Sequence, residues 1–166
     1  GLLILLCLPL LAGAVVRDYH FRMLDARQGL SQSSVTAFLQ DRSGFVWIAT
    51  QGDLHRFDGY SFQMLDDLVE GDGTLPSFVQ ALAEGDDGTI YIGTLQDGLY
   101  LLDPTRRHLR AASPPSGAHP IPKRRVEALF FQPGVGLWVA WPHGVGRFDA
   151  ATGNYQEMLV FDLGRT

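Results

Sequence analysis

The chain has few of the residues on which several classes of protein depend. Of its 166 residues only Cys7 is a cysteine, so a fold held together by internal disulfides is excluded. Its 13 lysines and arginines are scattered and its formal net charge is −5, which argues against a surface that binds nucleic acid. The one local basic cluster, Lys123-Arg124-Arg125, precedes a predicted strand, and we interpret it as part of a solvated loop.

The sequence also lacks the spacings of common catalytic and metal sites. Its five histidines form no H-E-x-x-H pair, and neither a G-x-S-x-G motif nor a phosphate-binding loop is present. Most of its many aspartates flank a glycine or end a predicted strand, where a short carboxylate satisfies backbone donors. No D-x-D-x-D-G loop supports calcium binding instead. We therefore predict no catalytic residue, no metal site and no cofactor.

Only the start of the chain is strongly hydrophobic. Residues 2–16 are almost wholly apolar, but this stretch falls short of the roughly 20 residues that a membrane-spanning helix needs. The small residues Ala12-Gly13-Ala14 fit the cleavage site of an export signal. We predict that residues 1–16 are the core and cleavage region of such a signal; an uncleaved anchor is the alternative.

A degenerate repeat fills the rest of the chain. Each copy places a large aromatic residue 12 positions after a valine, in the pairs Val35 and Trp47, Val79 and Tyr91, and Val126 and Trp138. The copies begin 44 and then 47 residues apart. A fixed offset in three copies indicates a repeated structural unit.

Each repeat has the pattern of four short strands. In the first copy the strands are predicted at 35–40, 45–50, 54–57 and 60–65, with glycine in every intervening turn. The second strand is apolar almost throughout, which predicts burial on both faces. Four antiparallel strands in about 45 residues make one blade of a β-propeller. The sequence therefore predicts an all-β fold with blades at residues 35–65, 79–112 and 126–159.

A further strand is predicted before the first blade. Residues 19–24 read YHFRML, and residues 60–65, the fourth strand of the first copy, read YSFQML. In a closed propeller a displaced fourth strand completes the last blade and removes the open sheet edge. Residues 17–166 are thus predicted to be part of a propeller, with a seam-closing strand at 19–24.

Residues 39–62, LQDRSGFVWIATQGDLHRFDGYSF, resemble the two-component regulator propeller repeat. That repeat has a D-x-x-G-x-x-W-[IV]-[GA]-T core and a G-L-x-x-[FY]-[DN] ending. The third copy departs from it by losing the Asp-Gly turn. The residues that we assign to the structural core of the repeat are Asp41, Gly44, Trp47, Thr50, Phe57 and Asp58 in the first copy, Gly88, Tyr91 and Thr94 in the second, and Trp138, Phe148 and Asp149 in the third.

The resemblance implies a ligand-sensing region of a receptor. In that family seven-bladed propellers lie outside the inner membrane and are usually followed by a histidine kinase or a diguanylate cyclase. It implies a periplasmic location, a membrane-anchored and homodimeric full-length protein, and a small molecule or oligosaccharide as ligand. Three blades cannot close a ring, so we expect the chain to be the N-terminal part of a larger protein, with its remaining blades elsewhere.

Candidate ligand residues follow from the architecture, because loops on a rigid scaffold carry function. We place them in the turns between the second and third strands. In the third copy this turn is predicted to be Trp141-Pro142-His143-Gly144, whose first and third residues replace small turn residues; an ordinary divergent turn is the alternative. The candidates are Gln51, Asp53, Gln96, Asp97, Trp141 and His143.

Two other functions stay open from the sequence. One is a stand-alone secreted propeller that serves as a scaffold or binds carbohydrate, and the other is a secreted propeller lyase or hydrolase. Trp47, Tyr91 and Trp138 could form a stacking platform for a sugar or a base. Their fixed place on the most apolar strand favours packing between blades instead.

Overall fold

Three four-stranded antiparallel sheets make up the chain in the computed structural model, which describes residues 29–30, 32, 34–70, 75–112 and 125–161. In each sheet the strands pair in sequence order. The all-β prediction with four antiparallel strands per repeat is confirmed. The predicted export signal (1–16) and the strand predicted at 19–24 lie outside the described residues. Within the described ranges no helix has the length and hydrophobicity that a membrane span requires.

The three sheets, named blades 1 to 3 in chain order, have the following strands. Blade 1 contains β1 (Val35–Gln40), β2 (Val46–Thr50), β3 (Leu54–Phe57) and β4 (Phe62–Met64). Blade 2 contains β5 (Val79–Glu84), β6 (Ile90–Thr94), β7 (Leu99–Leu102) and β8 (Leu109–Ala111). Blade 3 contains β9 (Ala128–Gln132), β10 (Gly136–Trp141), β11 (Gly144–Phe148) and β12 (Tyr155–Val160).

Asp-Gly turns join the first two strands of blades 1 and 2. The Asp41 carboxylate accepts hydrogen bonds from the backbone N–H groups of Ser43 and Phe45 at 3.0 and 3.1 Å. Gly44 and Gly88 hold the same place in the two turns with φ of 89° and 86°, which glycine adopts without steric cost. Local chemistry therefore suffices to form these hairpins.

The first strands of the three blades lie side by side. β1 packs against β5, and β5 packs against β9. The Thr36 hydroxyl donates to the Val79 carbonyl at 2.6 Å, and the Val126 N–H donates to the Thr94 carbonyl at 2.8 Å. The inner edges of neighbouring blades are thus held by hydrogen bonds to the backbone as well as by apolar contacts.

Two apolar cores lie between the blades. Trp47 and Ile92 belong to the core between blades 1 and 2, and Leu137 and Phe148 belong to the core between blades 2 and 3. Blade 2 contributes to both, and all five residues of β6 are buried. Burial of the second strand on both faces, as predicted, therefore holds for β6. In β2 and β10 buried and half-buried residues mostly alternate, because only one face of each meets another described blade.

The end of blade 1 differs from the prediction of a fourth strand at 60–65. Strand β4 covers only Phe62–Met64, and the helical turn α1 (Leu65–Leu68) follows it directly. Leu65 is buried in the core between blades 1 and 2. The buried side chain of Leu65 stabilises a helical turn in this acidic segment, which its composition did not predict.

The first strand of blade 3 also starts later than predicted. Strand β9 begins at Ala128, whereas Val126 lies in the segment before it and packs over β6. A Cβ atom at Gly93 would clash with the Val126 side chain, so this close approach requires glycine. Val126, in the connection between blades 2 and 3, therefore fills the space that Gly93 leaves on the surface of blade 2.

Candidate functional site

Each blade has turns at two opposite edges. The upper edge carries the β2–β3, β6–β7 and β10–β11 turns, and the lower edge carries the turns that join the first to the second and the third to the fourth strand. All six predicted ligand residues lie at the upper edge. Gln51, Gln96, Asp97 and His143 are exposed, Asp53 is half-buried, and Trp141 is buried.

A threonine hydroxyl closes the upper-edge turn in blades 1 and 2. Thr50 Oγ1 donates to the Asp53 carbonyl and accepts from the Asp53 N–H, both at 3.1 Å. Thr94 Oγ1 likewise accepts from the Asp97 N–H at 2.9 Å, and it donates to the Gly98 carbonyl at 3.0 Å. These turns are therefore closed without the carboxylates of Asp53 and Asp97.

Trp141 replaces this threonine in blade 3, and its predicted place in a turn is wrong. It is the last residue of β10, is 6% exposed and packs on Tyr155 with the ring centroids 5.2 Å apart. The turn between β10 and β11 shortens to Pro142-His143. The indole packs in the core between blades 2 and 3, because burial there removes its apolar area from water, whereas a turn would leave it exposed. Of the predicted pair only His143 is exposed at the upper edge.

Two glycines of β11 make room for these rings. A Cβ atom at Gly144 would lie 3.0 Å from Nε1 of Trp141, and one at Gly146 would clash with the Tyr155 hydroxyl. Gly144 was predicted as a turn residue, but it pairs with Trp141 within the sheet. A Cβ atom at either glycine would also clash with a carbonyl oxygen of β12, that of Leu159 or of Gln156, so the β12 backbone and the aromatic packing together require glycine here.

A buried ionic cluster joins blades 1 and 2 at the lower edge; we name it the lower clamp and define it as Asp41, Trp47, Glu84 and Arg106. Asp41 Oδ2 accepts from Trp47 Nε1 at 2.9 Å and from Arg106 Nη2 at 3.2 Å. Arg106 also lies 3.5 Å from Glu84 and donates to the Gly88 carbonyl at 2.6 Å. The Asp41 side chain is 1% exposed, so its charge depends on these partners.

Arg106 reaches the clamp from the β7–β8 turn. It has a φ of 64°, in the left-handed region that non-glycine residues seldom occupy. Its guanidinium lies 5.7 Å from the centroid of the Trp47 ring, within the range of a cation–π contact. Asp41 was predicted only as a turn residue of the repeat, and no motif indicated Arg106, because the two are 65 positions apart.

The residue at the position equivalent to Asp41 differs from blade to blade. In blade 3 the Trp138 indole donates to the Gln132 side chain at 2.9 Å, across the same six positions that separate Asp41 from Trp47. The third copy therefore keeps an acceptor for its tryptophan without an Asp-Gly turn. In blade 2 the corresponding residue is Gly85, and the aromatic residue is Tyr91.

The aspartates that directly follow β3, β7 and β11 cap the turns that they begin. Asp58, Asp103 and Asp149 each accept hydrogen bonds from two backbone N–H groups of the following turn. The backbone of Ser61 lowers the pKa of Asp58, and the backbone of Thr152 lowers that of Asp149. In the described part of the chain no group of three or more acidic, histidine or cysteine residues could hold a metal ion.

Comparison with known proteins agrees with this architecture. Residues 29–52, which include β1 and β2, match the family model for the two component regulator propeller. Residues 29–52 are therefore similar to one repeat of that family. Histidine kinase P4 of Formosa agariphila is 38% identical over 47 residues, which are 28% of this chain and 3% of that kinase.

A solved structure extends the likeness beyond this propeller repeat. The extracellular domain of the hybrid two-component system BT3049 of B. thetaiotaomicron matches 82% of the chain, with 26% identity and a TM-score of 0.66. The chain spans only 20% of that structure. Together with the three sheets, this match confirms the prediction of propeller blades; the total number of blades stays a prediction.

Proposed function

We propose that these blades belong to an extracytoplasmic sensor that binds a ligand and passes its occupancy to a membrane-linked histidine kinase or diguanylate cyclase. The observation that carries the proposal is the match of 82% of the chain to the extracellular domain of a hybrid two-component system. The shorter likeness to a histidine kinase supports it independently. On this proposal the blades recognise a ligand in the periplasm and perform no catalysis themselves.

The upper edge is the proposed ligand face. It presents the exposed Gln51, Gln96, Asp97 and His143 and the half-buried Asp53. Because the threonine hydroxyls and the backbone close the turns in blades 1 and 2, these turns do not need the aspartate carboxylates; that of Asp97 accepts one long hydrogen bond, of 3.5 Å, from the Ser77 hydroxyl. Carboxylates and amides at neighbouring turns suit the hydroxyl groups of an oligosaccharide or another small polar molecule.

Ligand-dependent signalling in the full-length protein tests this proposal. Membranes that contain it are incubated with oligosaccharides from xylan, pectin and β-glucan in turn, and phosphate transfer from ATP and cyclic dinucleotide formation are measured. We expect one sugar mixture to change the output. The triple variant Asp53→Ala, Asp97→Ala, His143→Ala should need at least about tenfold more of that mixture, corresponding to about 1.4 kcal/mol of binding free energy.

Glu157→Ala is the matched control, because Glu157 is exposed on β12 away from the upper-edge turns. It should respond like the unaltered protein. An unchanged response in the triple variant would move the ligand away from the upper edge. A full-length protein that neither associates with membranes nor forms either product would contradict the sensor proposal and favour a secreted binding protein.

A further inference from the structure

A groove of about 340 Å³ opens at the lower edge between blades 2 and 3. Tyr91 of blade 2 and Phe131, Val135 and Ala151 of blade 3 contribute to its walls. The Tyr91 and Phe131 rings are stacked, with their centroids 6.1 Å apart and their planes 12° from parallel. This volume lies within the usual range of small-molecule sites, about 300–1,000 Å³.

The groove occupies the place that Arg106 fills one blade earlier. Tyr91 holds the position of Trp47 in its blade, six residues after the start of the turn. Phe131 holds the position of Glu84, because it lies opposite Leu137 as Glu84 lies opposite Ile90. In the lower clamp the Arg106 guanidinium lies between these two positions.

Blade 3 supplies no arginine to fill the second site. The β7–β8 and β11–β12 turns span the same number of residues, since Asp103 N–H donates to His108 and Asp149 N–H donates to Asn154. Where the first turn carries Arg106, the second reads Ala150-Ala151-Thr152-Gly153. Small side chains thus leave open the space that a guanidinium closes in the neighbouring interface.

The groove is acidic. Asp86, Asp87 and Asp149 line it, and no lysine or arginine does so among the described residues. Burial and the charges of these three carboxylates raise the pKa of Tyr91 to about 12, while Arg110 acts in the opposite direction. Arg110 lines an adjoining cavity, which shares Asp87, Ala150 and Ala151 with the groove, and does not line the groove itself.

The Tyr91 hydroxyl adds a polar group that the fold does not use. Tyr91 is 3% exposed, and no hydrogen bond to its hydroxyl is found within the described part of the chain. Its counterpart, the Trp47 indole, is bonded to Asp41. A Cβ atom at Gly85 would lie 3.0 Å from Asp87 Oδ1 and 3.4 Å from the Tyr91 hydroxyl, so both oxygens lie near the place of the missing Asp41 carboxylate.

We propose that this groove binds a guanidinium group carried on an apolar stem, the chemistry of an arginine side chain. The stem packs on the Tyr91 and Phe131 rings, as the stems of long cationic side chains pack on apolar surfaces. The cation lies among Asp86, Asp87 and Asp149 and donates to the Tyr91 hydroxyl. A free arginine derivative and an arginine of a peptide share this chemistry. The proposal concerns a different edge from the sensor site and does not depend on signalling.

Calorimetric titration of the full-length protein with N-acetylarginine and N-acetylcitrulline tests the groove. The two probes have nearly the same shape, but only the first carries a cation. We expect N-acetylarginine to bind at least about tenfold more tightly, because citrulline cannot pair with the carboxylates. A peptide with one internal arginine distinguishes the two sources: tighter binding than N-acetylarginine indicates a peptide, and weaker binding indicates a free metabolite.

Ala151→Arg supplies the arginine from within the chain and should abolish binding. Ala128→Arg adds the same charge at an exposed position of β9 outside the groove and should leave binding unchanged. Asp86→Asn and Tyr91→Phe, which keep the packing, should each weaken it several-fold and keep the test valid if Ala151→Arg does not fold. Equal affinity for the two probes, no heat up to about 10 mM, or full binding by folded Ala151→Arg would overturn the proposal.

Discussion

Between blades 1 and 2 the lower edge is closed by a buried ionic cluster, whereas between blades 2 and 3 it is lined by aromatic rings and left open. The first interface contains Arg106 between Asp41 and Glu84. The second has Tyr91 and Phe131 at the positions of Trp47 and Glu84, with alanines where Arg106 would reach. The backbone hairpins on either side have the same strand order and matching registers.

The difference shows that the repeat and the interface are specified separately. Turn residues and strand patterns reproduce the hairpin in every copy, and a few side chains at its lower edge decide how neighbouring blades are joined. Gly85 and Gln132 stand at the position of Asp41, and neither forms an ion pair. A blade can therefore keep its fold while its interface changes from a closed contact to a groove.

The largest effect is expected from Trp47→Ala, which breaks the closed interface. Trp47 is fully buried and is the indole donor to Asp41. Its loss removes a large apolar side chain from the core and should lower the free energy of unfolding by about 3–5 kcal/mol. Urea denaturation of the full-length protein measures this change. Tyr60→Ala is the control, because Tyr60 is 91% exposed, and should change stability by no more than about 0.5 kcal/mol. A loss for Trp47→Ala as small as that of the control would refute its structural role.

Arg106→Met should have the next largest effect, because it leaves the buried Asp41 without its cation, whereas Glu84 keeps its ion pair with Arg42. We expect a loss of about 2–4 kcal/mol in the same assay. Glu84→Gln should cost less in this variant than in the unaltered protein, because its pair with Arg106 is already lost, so that the two changes are not additive. Arg107→Met is the matched control, since its ion pair with Glu70 is exposed, and should cost less than about 0.5 kcal/mol. Additive losses for Arg106 and Glu84 would show that the clamp contributes no coupling.

The smallest effect at neutral pH is expected from Tyr91→Phe. This variant tests the open interface through the pH dependence of the unfolding free energy. The pKa of Tyr91 is raised from 10.0 to about 12, so between these values the native state keeps a proton that the unfolded state has lost. The unaltered protein should therefore lose stability as the pH rises from about 10 to 12, and part of that loss should be absent in Tyr91→Phe. Unfolding free energies at pH 8 and pH 11 test this. Parallel losses in both proteins would show that Tyr91 does not contribute.

Much of the fold could be predicted because its signals are local. The 12-residue offset placed Trp47, Tyr91 and Trp138 on corresponding strands, and Asp-Gly pairs marked the turns where a carboxylate or a positive φ is needed. The strands at 35–40 and 54–57 were predicted with their observed bounds. These features depend on residues a few positions apart, which the order of the sequence shows directly.

The candidate site was harder to predict because exposure depends on distant residues. Trp141 was predicted in a turn, yet it is buried in the core, where it packs on the ring of Tyr155 next to two glycines of β11. No sequence pattern indicated the role of Arg106, because its partner Asp41 belongs to another blade. Only the packing of one blade on the next reveals which polar residues hold the fold and which remain for a ligand.

By itself the sequence determined the repeat, the order of strands within each blade and the turns that join them, because hydrophobic alternation and turn chemistry act over a few residues. The tertiary structure alone decided how the lower edges are joined. Arg106 closes one interface because Asp41 and Glu84 lie within reach across the blades. The other interface stays open because alanines and the ring of Tyr91 line it. The shape of the space between two blades depends on residues of both repeats.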